Sequence, residues 1–399
     1  MTDSLSIEQA RKLVLLSQKL PPKGQVGQAV AATLAAIEHL GYIQIDTISV
    51  IQRAHHHTIW NRNPRYRPTQ LDQLLSEKRV FEYWSHAAAY LPMRDYRYSL
   101  PRKQAIARGE LSHWYERDEK LMKRVLKRIA DEGPLMARDF DQAAKKTGDW
   151  GSKPAKRALE NLSMQGKLMV PSRVNFHKVY DLAERVIPDG IDTTPPTKEE
   201  YARFLITRYL RANGLGRPAE IAYLLQRTRP LVAATLRDMV SSGELRQLWA
   251  GDNQYYALPD SLALLDRPLA RCKLKILSPF DNLLIQRKRM EELFGFDYLI
   301  ECYLPKSKRQ YGYFSLPILW DGRLVARMDC KVDRACSVMH IYHLALEPDL
   351  SRTDEFFLAL GRELGAFLQF NDCAGLRIHR TSPAGAMSGL EAVIGDFAG

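Results

Sequence analysis

Apolar side chains recur at helical spacing in two stretches of the chain, and a similar series of elements follows in each. Residues 118–140 predict a helix, a Gly-Pro break and a short helix, and a longer helix then reaches Gly166. Residues 201–225 predict the same order before a helix that reaches Gly243. Glycine favours the left-handed conformation that ends a helix, so both stretches predict the same arrangement of helices.

After each glycine, the period of the apolar positions changes to that of paired strands. Residues 167–182 and 244–258 each predict a β-hairpin. Helices followed by a glycine and a hairpin are the order of a winged helix-turn-helix motif. Residues 6–90 repeat the pattern in a degenerate form, which gives three such motifs in tandem.

The last third of the chain is rich in aromatic and β-branched residues. Residues 299–333 predict a β-meander with turns at 306–308 and 321–322, which favours a small barrel or curved sheet. Residues 353–371 predict one amphipathic helix. We therefore expect an α+β fold with three winged-helix motifs and a C-terminal β-barrel.

The predicted motifs and barrel divide the chain into four segments. The first carries the degenerate motif, the next two carry the clearer motifs, and the last carries the barrel. Their bounds are 1–115, 116–190, 191–265 and 266–399.

Composition and charge restrict the function. The chain has 399 residues, a net charge of +12 and five scattered cysteines. The cysteines favour a reducing cytoplasm, and we expect neither a signal peptide nor the ~20-residue apolar run of a membrane span. The basic charge favours an anionic partner such as nucleic acid, although a basic enzyme without such a partner fits about as well.

Cations open the longer helix of the second and third motifs. Lys153, Lys156 and Arg157 begin one helix, and Arg229 lies in the other. The N-terminal end of a recognition helix meets DNA in winged-helix proteins. These residues therefore predict DNA binding, with a solvated helix face as the alternative.

A second basic feature lies in the predicted meander. Lys306, Lys308 and Arg309 fall at the tip of a predicted hairpin, followed by Gln310 and Tyr311. Cations interleaved with aromatic rings suit a nucleic-acid backbone and its bases. A charged tip that protects a sheet edge is the alternative.

Three consecutive histidines raise the question of a metal. His55 and His57 would share one face of a strand, but the sequence offers no further ligand cluster. We expect them, with Arg62, to line a DNA-binding groove, and we expect no metal and no cofactor. Sequence signatures of serine hydrolases, phosphate-binding loops and dinucleotide-binding folds are absent.

The segment GYIQIDTISV, residues 41–50, predicts a half-buried strand. Gln44 and Asp46 are two residues apart and would share one face of it. A half-buried carboxylate can activate water, offset a developing cation, or pair with an arginine. A capping or ion-paired aspartate remains the structural alternative.

Several long motifs resemble the winged-helix DNA glycosylases of the AlkZ/YcaQ type. They are GYIQIDTISVIQRAHHHTIWNR, FEYWSHAAAYLP, KPAKRALENLSMQGKLMV, LSPFDNLLIQRKRMEELFGFDY and ECYLPKSKRQYGYFSLPIL. The resemblance covers residues 6–372. It implies a C-shaped, basic DNA channel, and Gln44-Ile45-Asp46 matches the glutamine–aliphatic–aspartate catalytic motif of the YcaQ-like branch.

The resemblance also implies a reaction. Members of this family release alkylated bases and unhook interstrand crosslinks, so we expect a monofunctional glycosylase acting on N7-alkylated guanine. Asp46 would activate water and Gln44 would orient it, while residues 306–311 would probe the lesion or clamp a strand. The expected partner of this monomer is double-stranded DNA in the bacterial nucleoid.

A transcription regulator is the competing hypothesis. Tandem winged helices and the net charge of +12 would serve sequence-specific binding equally well, and Asp46 would then be structural.

Overall fold

The structure is a computed structural model that describes residues 3–22, 28–112, 114–143, 154–225 and 227–395. Helical and strand segments alternate along the chain, as the changes in apolar period predict. The helices, in chain order, are α1 (Ile7–Ser17), α2 (Ala29–Leu40), α3 (Ala54–Trp60), α4 (Pro68–Ser76), α5 (Leu100–Ala107), α6 (Glu119–Glu132), α7 (Pro154–Met164), α8 (Ala183–Val186), α9 (Lys198–Asn213), α10 (Pro218–Ile221), α11 (Arg229–Ser241), α12 (Pro259–Leu262), α13 (Arg287–Phe294), α14 (Thr353–Phe370) and α15 (Ala386–Ile394).

Most strands are short. They are β1 (Asp3–Leu5), β2 (Ile43–Gln44), β3 (Val80–Trp84), β4 (Ala88–Pro92), β5 (Leu135–Met136), β6 (Leu168–Val174), β7 (His177–Leu182), β8 (Leu215–Gly216), β9 (Arg246–Ala250), β10 (Asn253–Ala257), β11 (Lys275–Ile276), β12 (Ser315–Trp320), β13 (Arg323–Asp333), β14 (Val338–Leu346), β15 (Gly375–Ile378) and β16 (Thr381–Ser382).

The chain folds into two compact units. Unit 1 comprises Met1–Arg67 and Leu205–Gly399, and unit 2 comprises Pro68–Phe204. These units describe packing, whereas the four segments expected from the sequence describe repeated motifs, and that division remains a prediction.

Unit 2 contains the second series of helices and strands. Asp118 caps α6 by accepting the Leu121 N–H (2.9 Å), and the apolar stripe of α6 packs against α7. The predicted short helix is a 3₁₀ turn at Ala137–Ala143. Strands β6 and β7 form the predicted hairpin, and β5 pairs with β7.

The third series has the same order. Helices α9, α10 and α11 precede the antiparallel hairpin of β9 and β10. Gly166 and Gly243 have φ angles of 78° and 79°, which confirms the left-handed conformation predicted at the end of each longer helix. Strand β1 pairs in parallel with β9, and the sequence did not predict this strand.

The C-terminal sheet lies in unit 1. Strands β11 to β15 pair in chain order and β16 adds to β14, so the sheet is a half-barrel with open edges among the described residues. The predicted barrel or curved sheet is therefore present as a half-barrel sheet, and the predicted turn at Asp321-Gly322 and the helix α14 are confirmed. No helix in the described part of the chain is long and apolar enough to cross a membrane.

Candidate active site and nucleic-acid interface

The predicted strand at residues 41–50 ends early. Only Ile43 and Gln44 form β2, so Gln44 and Asp46 do not share a strand face as expected. From Ile45 onward the chain is an irregular loop. We call residues 45–53 the aspartate loop.

Backbone hydrogen bonds hold the aspartate loop to the half-barrel. The Val332 N–H donates to the Val50 carbonyl (2.8 Å), and the Arg334 guanidinium donates to the Ser49 carbonyl (3.2 Å). The Gln52 N–H donates to Asn371 Oδ1 (2.8 Å) at the end of α14. These partners lie about 280 to 320 residues away in sequence, which explains why a local strand pattern was misleading.

Asp46 is half-buried in this loop. Its Oδ1 accepts the Ile48 N–H (2.7 Å), which is the short-range bond of an Asx turn. Burial raises the pKa of the Asp46 carboxyl, and the Ile48 hydrogen bond offsets part of the rise. Among the described residues Asp46 forms no ion pair, so its charge is free to act on an incoming group.

The segment predicted as a basic hairpin is also a loop. We call residues 301–314 the basic loop; it contains two 3₁₀ turns, Glu301–Tyr303 and Lys306–Lys308, and precedes β12. The predicted hairpin is therefore wrong. Pro305 sits between the turns and cannot donate a hydrogen bond to a strand ladder, which accounts for the irregular backbone.

Two carboxylates hold the basic loop. Buried Glu301 accepts the N–H groups of Gln310 (3.0 Å), Tyr311 (2.8 Å) and Gly312 (2.9 Å). Asp329 on β13 accepts the Phe314 N–H (2.7 Å). Gly312 has φ 137°, and a Cβ there would lie 2.1 Å from Asp329 Oδ2, so only glycine fits at this position.

The charge of Asp46 acts on two residues of the basic loop. Burial raises the pKa of the Cys302 thiol, the charge of Asp46 raises it further, and Arg309 lowers it. Desolvation also raises the pKa of the Tyr303 hydroxyl, and the charges of Cys302 and Asp46 add to that rise. The carboxylate of Asp46 is therefore electrostatically coupled to the thiol and the phenol of the basic loop in unit 1.

Aromatic rings on the basic loop face solvent. Tyr303 is 72% exposed and Tyr313 is 41% exposed. The Arg309 guanidinium lies 4.9 Å from the Tyr313 ring centroid, and its Nε donates to the Leu304 carbonyl (2.9 Å). Lys306 and Lys308 are exposed. The loop thus presents cations and ring faces together, the combination that suits nucleic acid.

Most of the chain matches one known protein family. The model of the DNA glycosylase AlkZ-like family matches residues 37–370. This chain belongs to the AlkZ-like DNA glycosylase family. The solved structure of the Streptomyces sahachiroi DNA glycosylase AlkZ has a similar fold, with a TM-score of 0.65 and 16% identity over 94% of this chain and all of that chain.

Membership of the AlkZ-like family supports a DNA substrate and a hydrolase that acts on N-glycosyl bonds. The matched region contains both the aspartate loop and the basic loop. Among the described residues, no group of three or more His, Cys, Asp or Glu side chains is arranged to hold a metal.

The structure corrects the expectation for the histidines. They lie on helix α3, where His55 is 1% exposed and His57 is fully buried. His57 Nε2 donates to the Ile276 carbonyl (2.9 Å), and burial lowers the pKa of His57 to about 4, so the ring is neutral. Side chains enclosed in this way have no surface to offer a DNA strand.

The predicted role of Arg62 in DNA binding is also wrong, because its side chain is buried. Its guanidinium pairs with both carboxylate oxygens of Asp281, one at 2.8 Å from Nη2, and Nη2 also donates to Gln18 Oε1 (2.8 Å). The Arg62 and Asp281 side chains are 1% and 0% exposed. We therefore assign Arg62 to the core of unit 1.

The cations predicted on the two longer helices, unlike the histidines and Arg62, are exposed where the structure describes them. Lys156 and Arg157 are exposed on the first turns of α7, and Arg229 is exposed at the start of α11. Lys153 lies outside the described residues. Their role in DNA binding by this AlkZ-like protein stays a prediction.

Sequence reasoning missed Glu301, Cys302, Tyr303 and Asp329. Glu301 and Asp329 occupy largely apolar surroundings in the sequence, and a carboxylate there signals a need for nearby donors. Cys302 and Tyr303 gave no such signal, because their electrostatic coupling to Asp46 acts across more than 250 residues of chain.

Proposed function

We propose that this protein is a monofunctional DNA glycosylase that releases N7-alkylated guanine and unhooks interstrand crosslinks. The observation that carries the proposal is the position of Asp46. An unpaired, half-buried carboxylate of the Gln44-Ile45-Asp46 motif lies beside a loop of exposed cations and rings. Family membership supplies the DNA substrate.

The proposed reaction balances without a cofactor. Water oxygen forms a bond to C1′ of the deoxyribose, and Asp46 accepts the proton. The bond between C1′ and N9 breaks, and its electron pair enters the cationic purine, which leaves as a neutral base. Because the substrate already carries a positive charge, the leaving base needs no acid.

Asp46 has two tasks in this reaction. Its carboxylate opposes the positive charge that develops on the sugar, and it accepts the proton from water. Burial raises the pKa of Asp46, which makes it a stronger base than an exposed aspartate. Gln44 precedes it by two residues and would orient the water or the sugar. No lysine nucleophile is required, so an abasic site is the product.

A crosslinked base constrains how the DNA is held. Such a base is tethered to the opposite strand and cannot be turned fully into a closed pocket. Tyr303, whose pKa responds to the charge of Asp46, is 72% exposed, and an open surface of this kind suits a tethered base. We therefore include crosslinks in the proposed substrate range.

Several exposed or partly exposed residues are proposed to hold DNA. In the basic loop they are Lys306, Lys308, Arg309, Gln310 and Tyr311, and in the helices they are Lys156, Arg157 and Arg229. Segments 116–190 and 191–265 are proposed to act as winged-helix motifs. We propose that the protein works as a monomer in the cytoplasm, at the nucleoid.

The product distinguishes a glycosylase from a regulator. A duplex with one 7-methylguanine is incubated with protein, free base is measured by chromatography, and strands are sized before and after alkali. We expect one free base per abasic site, with strand breaks only after alkali. Breaks before alkali would contradict the monofunctional mechanism, and binding without base release would favour the regulator.

Two variants test the motif itself. Replacement Gln44→Leu should slow base release, because the water or sugar loses a hydrogen-bonding partner. Thr47→Ala is the matched control, since Thr47 is exposed in the same loop. Equal rates for both variants would remove Gln44 from the proposed site.

A further inference from the structure

Three rings stack on the solvent face of the half-barrel. His340 and Tyr342 lie on β14, and His379 follows β15. The Tyr342 and His379 ring centroids are 5.1 Å apart at 25°, and those of His340 and His379 are 5.2 Å apart at 22°. His340 Nδ1 and His379 Nε2 are hydrogen-bonded at 3.0 Å. We call these three side chains the ring platform.

The sheet itself presents the platform to solvent. His340 pairs with Arg377 in the register of β14 and β15, and the His379 N–H donates to the Ile341 carbonyl (2.9 Å). Ile341 is fully buried on the opposite face. The ladder between β13 and β14 is interrupted at Tyr342, as in a β-bulge. Bulges redirect side chains and are frequent beside functional sites.

Core packing does not account for the platform. Tyr342 is 44% exposed, and His379 is exposed as well. Lys331 on β13 pairs in register with His340, and both Lys331 and Arg377 are exposed. Among the described residues neither cation forms an ion pair. Asp333 is an acid close enough for the charge of His340 to help lower its pKa, and it accepts the Ala335 N–H (3.0 Å).

We propose that the ring platform binds an unpaired DNA base, with Lys331 and Arg377 holding the adjoining phosphates. Nearly parallel rings offer a flat π surface, on which any base can stack. The two cations complement a phosphate backbone. This proposal rests on the family's DNA substrate and not on the particular lesion or on the role of Asp46.

The platform is close to the candidate active site in unit 1. The Val332 N–H is bonded to Val50, four residues after Asp46, and its neighbour Lys331 faces His340. Chain and strand spacings place His340 within about 30 Å of Asp46. That span is roughly nine base pairs at about 3.4 Å each, so one DNA molecule can reach both places. An unpaired base at this distance is present in forked or locally opened DNA.

The test uses undamaged DNA, so that binding is measured apart from base release. The full chain is titrated with a forked duplex that carries 2-aminopurine in one unpaired arm, and with a blunt duplex of the same sequence. Stacking on the platform should quench the 2-aminopurine fluorescence. Replacement Tyr342→Ala should abolish the quenching and weaken fork binding by about 5- to 150-fold, which corresponds to roughly 1–3 kcal/mol of stacking.

Two further variants separate the ring from the fold. Tyr342→Phe keeps the ring and should keep the quenching, so its behaviour shows whether Tyr342→Ala acts through lost stacking. Leu358→Ala removes an exposed apolar side chain (55%) from α14, a helix with no proposed role in DNA binding, and should change neither signal. Thermal melting confirms that each variant is folded.

Three results would overturn the proposal. They are unchanged quenching in folded Tyr342→Ala, an equal loss of affinity for forked and blunt DNA, or a loss as large in Leu358→Ala. Failure of the proposed base-release reaction would leave all these measurements unaffected, so the two proposals fail separately.

Discussion

The buried pair of Arg62 and Asp281 predicts a large loss of stability when one partner is removed. Asp281 accepts two hydrogen bonds from Arg62 and one from the Leu283 N–H (3.0 Å), and it is fully buried. In Arg62→Ala, one backbone donor would remain for a carboxylate that has no access to water. Breaking such a buried pair costs about 3–5 kcal/mol.

Hydrogen exchange followed by mass spectrometry measures the loss of stability in Arg62→Ala segment by segment. In peptides that cover α3 and residues 281–285, exchange through opening should accelerate by roughly 10²- to 10³-fold or more, at about 1.4 kcal/mol per factor of ten. Peptides of α6 and α7 in unit 2 are the internal reference. The double variant Arg62→Leu, Asp281→Leu should lose less stability than the two single changes added together.

Two results for Arg62→Ala would refute the assignment of this residue to the core. If Arg62→Ala changes exchange in these peptides by less than about fivefold, or about 1 kcal/mol, the pair does not support the core. If the same variant loses tenfold or more in DNA affinity while it remains folded, Arg62 is a DNA contact as the sequence predicted.

Further predictions concern the two loops and one buried lysine. Replacing both Lys306 and Lys308 with glutamine should reduce the magnitude of the slope of log DNA affinity against log salt concentration by about 2. Lys288→Gln, a control at an exposed lysine, should leave this slope unchanged. An unchanged slope in the double variant would remove the basic loop from the DNA interface. Glu301→Gln should speed trypsin cleavage after Lys306 and Lys308 by about 5- to 150-fold. The reason is that three backbone N–H groups of the basic loop lose a charged acceptor worth roughly 1–3 kcal/mol. An unchanged cleavage rate would mean that Glu301 does not hold the basic loop. Burial lowers the pKa of Lys103 to about 7, so between pH 7 and about pH 10.4 Lys103 is protonated in the unfolded chain but not in the folded chain, and the free energy of unfolding rises with pH. Lys103→Met should therefore raise the melting temperature more at pH 6 than at pH 9. An equal rise at both pH values would contradict the lowered pKa.

The sequence predicted local elements well where the signal was itself local. The glycines at 166 and 243 and the turn at Asp321-Gly322 require particular backbone angles, and the structure has them. The apolar stripes of α6 and α14 were equally readable, because each helix buries one side at helical spacing.

The errors arose where distant partners determine the local structure. His57 and Arg62 are held by Ile276 and Asp281, each 219 residues away. Nothing in a run of histidines reveals such partners, so an exposed strand was a reasonable but wrong prediction. The basic loop was misread for a related reason, although Pro305 gave a local warning against a strand.

The candidate site was predictable only in part. The pattern Gln44-Ile45-Asp46 drew attention to the correct place for an unpaired carboxylate, but the predicted strand face was wrong. Tyr303 and Cys302 join Asp46 only after the chain folds, since more than 250 residues separate them.

The most direct test is the single-turnover rate of 7-methylguanine release by wild type and Asp46→Asn across pH. Burial raises the pKa of Asp46, so the wild-type rate should fall as pH decreases through a value above that of an exposed aspartate. Asp46→Asn should be slower by about 10²- to 10⁴-fold and lack that acid limb. It should remain folded, because the amide avoids the cost of a half-buried charge. Release within twofold of the wild-type rate by folded Asp46→Asn would contradict the proposed mechanism.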